Sequence, residues 1–156
     1  MIKKFVVFAG SIAGSFAAGV IGSLATTPNI PTWYAALVKP ALNPPNWVFG
    51  PVWSTLYLLM GIALALIILE PAKQSKKKAY SWFGLQLLLN AAWSLVFFGL
   101  HAPWFGVAII LALIVSIVMT IIEFYKIKRV SAWLLAPYLG WVCFATYLTV
   151  AIALLN

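Results

Sequence analysis

Five runs of this chain are apolar for long enough to cross a lipid bilayer: Phe5 to Ala25, Val48 to Leu69, Tyr80 to Leu100, Trp104 to Tyr125, and Ala132 to Leu155. A hydrocarbon core about 30 Å thick takes about 20 residues of helix, and once these runs are placed little chain remains to build anything else. With 65% hydrophobic and 8% charged residues, the chain has too little polar surface to cover a globule in water. The expectation is an all-α membrane protein: a five-transmembrane-helix bundle forming a single domain over residues 1–156, with a long proline-rich loop between helices one and two. The opening MIKKFVVFAGSIAGSFAAG has the basic start of a signal peptide, but its apolar run continues to Leu24 and has the length of a spanning helix.

The formal net charge of +8 does not point to nucleic acid, because the ten basic residues sit in the short gaps between apolar runs instead of along one solvated face. With five spans, Lys3, Lys4, Lys73, Lys76, Lys77, Lys78, Lys126, Lys128 and Arg129 fall on one side and Lys39 on the other. That bias is a positive-inside signal. The expected location is a bacterial cell membrane, with the N-terminus cytoplasmic and the first loop outside.

That loop, Thr26 to Trp47, contains Pro28, Pro31, Pro40, Pro44 and Pro45. Proline fixes φ and restricts the residue before it, so the segment reads as a semi-rigid extended lid. Trp33, Tyr34 and Trp47 are expected at headgroup level, and Pro51 in the first turn of the second helix, where its missing N–H costs nothing. Pro137 lies inside the fifth run and predicts a kink.

Three helix faces carry unusual chemistry. Gln86, Asn90, Trp93 and Phe97 share a stripe on the third helix, with Asn90 about 15 Å below its loop-side end, near the bilayer midplane. Trp53, Tyr57, Met60 and Gly61 descend the second helix, and Tyr138, Trp141, Ala145 and Thr149 follow one face of the fifth. Spacing alone leaves two readings: these rings line a common cavity, or they form a packed aromatic core with interhelical hydrogen bonds from Tyr57, Asn90 and Tyr138. On the first helix, Gly10, Gly14, Ala18 and Gly22 recur every four residues and read as a packing face.

Reactive chemistry is sparse. The two carboxylates, Glu70 and Glu123, fall at the lysine-rich surface, and no charge lies inside the membrane, which argues against a proton-coupled pump. The lone His101 is far from either glutamate, so neither a hydrolytic triad nor a metal site is expected. Cys143 has no partner within the chain and reads as a small buried hydrophobe.

The segments WYAALVKPALNPPNWVFGPVW, NAAW and SAWLLAPYLGWVCFATYL resemble the TspO/MBR family, the tryptophan-rich sensory proteins that include the mitochondrial translocator protein or peripheral benzodiazepine receptor, and the resemblance spans essentially the whole chain. It implies a five-helix bundle, often homodimeric, with a pocket under the first loop for flat apolar ligands. Porphyrins such as protoporphyrin IX and benzodiazepine-type drugs are the family's ligands, and no cofactor is required beyond the porphyrin as ligand. Carried over by position, the pocket takes Tyr34, Trp53, Tyr57, Asn90, Trp93, Trp104, Trp141 and Ala145, with Tyr138 added from the stripe reading. Trp53 and Trp141 resemble the paired indoles implicated in light-dependent porphyrin breakdown. Two departures stand out. Ala108 occupies a position that is acidic in many members, and no basic residue follows Tyr147, so tight cholesterol binding is not expected. The resulting expectation is a receptor or carrier of planar hydrophobic ligands, with transport, sensing or light-dependent degradation as its modes and no conventional enzyme activity. The alternative is a ligand-free sensory or assembly subunit that acts through protein contacts.

Overall fold

A computed structural model describes residues 2–71 and 75–156; Lys73, assigned above to the basic side, lies outside the described residues. Among them there is no strand. Helix α1 spans Ile2–Asn29 and continues as a π-helical turn over Ile30–Tyr34; α2 spans Asn46–Leu69; α3 spans Lys77–Ser94 and continues as a second π-turn over Leu95–Gly99. Helix α4 runs Pro103–Ile127, and the last span is divided into α5, Arg129–Leu134, and α6, Ala136–Leu155. Among the described residues, five helical spans are long and apolar enough to cross a membrane.

The first span exceeds its expected end at Ala25 by more than two turns. Pro28 and Pro31, read above as loop residues, lie in helical backbone instead. Proline lacks an N–H, so carbonyls four residues earlier are left over. Side chains take up neighbouring carbonyls: Asn29 Nδ2 donates to Ala25 O at 2.8 Å and Thr32 Oγ1 to Pro28 O at 3.0 Å. The wider π-turn then absorbs the register change. The segment without helix is correspondingly short. Pro51 also departs from expectation, since α2 begins at Asn46 and places it beyond the first turn. Near Pro137 the fifth span does break, at Leu135 (φ -90°, ψ -9°), with the proline opening α6.

Packing follows the small residues. Helix α1 lies against α2 and α3, α4 against α3 and α6, and α5 against α2 and α4. The buried stripe of α1 is Ser11, Ser15, Ala18 and Gly22, so only half of the expected glycine face packs inward. Gly10 and Gly14 have open space where a side chain would project, whereas a Cβ on Gly61 would meet Ile12 Cα at 2.5 Å. The α1–α2 crossing is therefore backbone against backbone. Cys143, expected to be buried, is exposed on α6.

The lysine-rich side is held by ionic and capping contacts. Lys128 pairs with Glu70 at 2.6 Å and Lys126 with Glu123 at 2.7 Å. Lys76 Nζ donates to the carbonyls of Ile67 and Glu70 at the end of α2, where the helix dipole favours a cation. At the other side Lys39 plays the same part for the end of the first span, donating to Ala35 O and Leu37 O while standing over the Tyr34 ring.

These contacts predict opposite outcomes for two glycine substitutions. Gly61→Val forces α1 and α2 apart and loses about 1–3 kcal/mol, whereas Gly14→Ala is neutral or stabilising by up to about 1 kcal/mol through helix propensity. Thermal unfolding of both variants in one detergent checks the pair.

Candidate functional site

Mid-bilayer polar groups must find partners within the bundle. Asn90 on α3, 2% exposed, does so on both sides: Tyr57 on α2 donates its hydroxyl to Asn90 Oδ1 at 2.6 Å, and Asn90 Nδ2 donates to the Tyr138 hydroxyl on α6 at 3.0 Å. One amide thus ties three helices. Below it, towards the lysine side, Gln86 reaches Met60 Sδ at 3.7 Å, and the bundle is packed with aliphatic side chains and stacked Phe83 and Phe124.

Above that tie the helices separate around a cavity of about 490 Å³, within the size range of small-molecule sites. Its walls are aromatic. Trp53 stacks on Tyr57 with centroids 5.6 Å apart, Trp93 stacks on Phe97 at 5.3 Å, and Trp141 meets Phe49 edge-on at 6.0 Å. The second π-turn matters here, because Phe97 and Phe98, adjacent in sequence, are both buried and meet edge-to-face at 4.9 Å.

Of the residues expected at the site, Tyr34, Trp53, Tyr57, Trp93, Trp141 and Ala145 line this cavity. Asn90 and Tyr138 do not line it; they lie buried beneath, as the tie that closes its floor. Trp104 is not brought to the cavity at all. It occupies the first turn of α4 with 59% of its surface exposed, among the outward-facing side chains of that helix.

The interfacial positions also differ from expectation. Trp47 is 75% exposed, but Tyr34 is buried, donating to Asn43 Oδ1 at 2.7 Å, and Trp33 is half-buried. Trp33 lies edge-on to Phe97 and stacks on His101, whose Nε2 is 2.8 Å from Asn29 Oδ1. His101 holds a left-handed backbone, φ 52°, in the α3–α4 turn. It is a structural pin rather than a free interfacial ring.

Two polar atoms in the wall stand out. The indole N–H groups of Trp93 and Trp141 are buried, and neither meets an acceptor in the protein. Buried donors are almost always paired; both side chains line the cavity, but their N–H atoms are covered and do not open onto it.

Sequence reading missed the contribution of α1: Phe16, Gly19, Val20, Ser23 and Thr27 all line the cavity. The available signal was Gly19, off the four-residue glycine repeat. A Cβ there would collide with the Tyr57 ring, so its absence lets that ring lie against the α1 backbone.

Comparison with known proteins settles the lineage, since the model of the TspO/MBR family matches residues 11–155. The chain belongs to the TspO/MBR family. It is 44% identical to the tryptophan-rich protein TspO of Archaeoglobus fulgidus over 146 residues, covering 94% of each chain. It is 42% identical to the human translocator protein over 121 residues, 74% of this chain and 70% of that one, and 34% identical to protein CrtK of Rhodobacter capsulatus over 125 residues, 80% and 78%. With the five spans, this TspO/MBR membership makes the chain an integral membrane protein.

The floor of the cavity is a testable element. Asn90→Leu leaves two buried tyrosine hydroxyls unpaired, a loss of about 1–3 kcal/mol for each. Adding Tyr57→Phe and Tyr138→Phe to that variant recovers much of the loss, measured as the detergent melting temperature across the series.

Proposed function

We propose that this chain is a membrane receptor or carrier for planar hydrophobic ligands that bear hydrogen-bond acceptors, with porphyrins such as protoporphyrin IX as the preferred class. The observation that carries the reading is the cavity itself, about 490 Å³ walled by the flat rings of Trp53, Tyr57, Trp93, Phe97 and Trp141. A wide planar ring satisfies the faces, and a carbonyl or carboxylate at its edge meets the Trp93 and Trp141 N–H groups, covered in this structure, once those indoles turn towards it. A cavity of about 490 Å³ also speaks against a bundle packed solid, the form a pure assembly subunit takes.

Affinity follows without a salt bridge. Each well-placed aromatic contact adds on the order of 1 kcal/mol beyond its buried area, and a micromolar complex needs about 8 kcal/mol in total. Names among the relatives agree in kind: translocator protein for the human chain and tryptophan-rich sensory protein for that of Cereibacter sphaeroides. The lysine bias favours a cytoplasmic N-terminus, which puts the cavity in the outer half of the membrane. Trp53 and Trp141 both line the wall, and the role proposed for them is electron donation to an excited porphyrin. Light-dependent bleaching that persists in a Trp53→Phe, Trp141→Phe double variant speaks against that role.

The donor assignment is tested by comparing two probes. Protoporphyrin IX, which carries carboxylates, binds Trp93→Phe or Trp141→Phe more weakly by about 0.5–1.5 kcal/mol, roughly two- to tenfold in Kd. A porphyrin bearing only alkyl groups binds parent and variants alike. Equal affinities for both probes throughout, read from porphyrin absorbance titrations, would remove the donors from the account.

A further inference from the structure

The rim of the cavity is not equally exposed all round. Lining residues on the seam between α1 and α2 are open: Val20, Ser23 and Thr27 on one helix, and Asn46, Trp47, Gly50 and Ser54 on the other, with Val20 59% and Trp47 75% exposed. At 1.5 Å per residue this opening runs about 12 Å down α2 and about 10 Å down α1. It therefore starts at headgroup level and descends into hydrocarbon.

Along the remaining boundaries no lining residue is exposed. On the seam between α2 and α6 the half-buried rings of Phe49 and Trp141 meet edge-on, and the α6 lining residues Ala145, Leu148, Thr149 and Ile152 are buried. Towards the water above the loop, Tyr34 (4% exposed) and Phe98 (8%) close the end of the cavity, with Tyr34 pinned to Asn43. The loop does not roof the space, because residues 35–45 do not line it. It is strapped instead across the end of α6, where the Asn156 side chain accepts from Val38 N at 2.9 Å and donates to Val38 O at 3.0 Å.

Resting on the ligand reading above, we infer that the cavity is loaded sideways from the loop-side leaflet, through the cleft between α1 and α2, by amphiphiles already dissolved in the bilayer. The polar edge of such a ligand travels at the level of Asn46 while its ring slides between Val20 and Gly50. The class selected is thus membrane-partitioned planar amphiphiles, and water-borne ligands are excluded by the sealed end.

The test uses the full chain reconstituted in vesicles, with protoporphyrin IX preloaded in the lipid and uptake followed by porphyrin absorbance. In a Cys143→Ala background, Val38→Cys with Asn156→Cys, oxidised, locks the strap shut and leaves the uptake rate at that of the parent. Val20→Trp narrows the cleft from a lipid-facing position and slows association and dissociation together, several-fold; Thr27→Trp, higher on the same rim, repeats the slowing at a second site. If the locked strap stops uptake while both tryptophan variants keep the parent rate, the route is from water and the inference is overturned. Absence of porphyrin binding in the parent at equilibrium overturns the ligand reading beneath it as well.

Discussion

The structure depends on one amide in the middle of the membrane. Asn90 has no water to turn to, so both ends of its side chain must find partners among the neighbouring helices, and it finds one tyrosine on each side. Because Tyr57 belongs to α2 and Tyr138 to α6, the bond pair fixes the separation of three helices at one level. Below that level the side chains are mainly aliphatic and small, and they close-pack. Above it rings on α2, α3 and α6 are too large and too few to fill the gap that the tie imposes, so a cavity opens with the triad as its floor.

The two π-turns serve the same end. A regular helix presents neighbouring residues at widely different angles, which would send one of Phe97 and Phe98 towards lipid. The wider turn over Leu95–Gly99 buries both. Over Ile30–Tyr34 the corresponding turn carries the first span past Pro31 and delivers Tyr34 to the top of the cavity while Trp33 is clamped between Phe97 and His101. Left-handed backbone at His101 shapes the turn that brings this histidine under the indole.

How far the sequence disclosed this arrangement depended on which force dominated locally. Spans were legible because their signal is length and apolarity, and lipid leaves no other use for them. Stripes on the second, third and fifth spans were legible as stripes, since helical periodicity survives tertiary packing. Whether a stripe faces a void or a neighbour is set by interhelical distance, which no single helix encodes; Asn90 and Tyr138 accordingly belong to the floor and not the wall. Trp104 was misplaced for a related reason, because a tryptophan at a helix start satisfies a lipid headgroup as well as a pocket. Proline misled most. Pro28 and Pro31 argue locally for a loop, yet the chain stays helical through both, with a π-turn taking up the register and Asn29 and Thr32 bonding the nearby Ala25 and Pro28 carbonyls.

That extension of the first span alters the sense of the whole loop-side half. Had the chain left the helix at Ala25, a flexible proline segment would cover the cavity and water would lie directly above it. With helix continuing to Tyr34, the remaining loop is too short to arch over the cavity and is drawn instead to the end of α6, where Asn156 holds Val38 at both backbone atoms. Exposed lining surface is then left only where α1 and α2 diverge above their tight crossing at Ile12 and Gly61. Proline stiffness in this chain therefore acts mainly by prolonging a helix and sealing one end of a space, and the orientation of that space towards lipid follows from the seal.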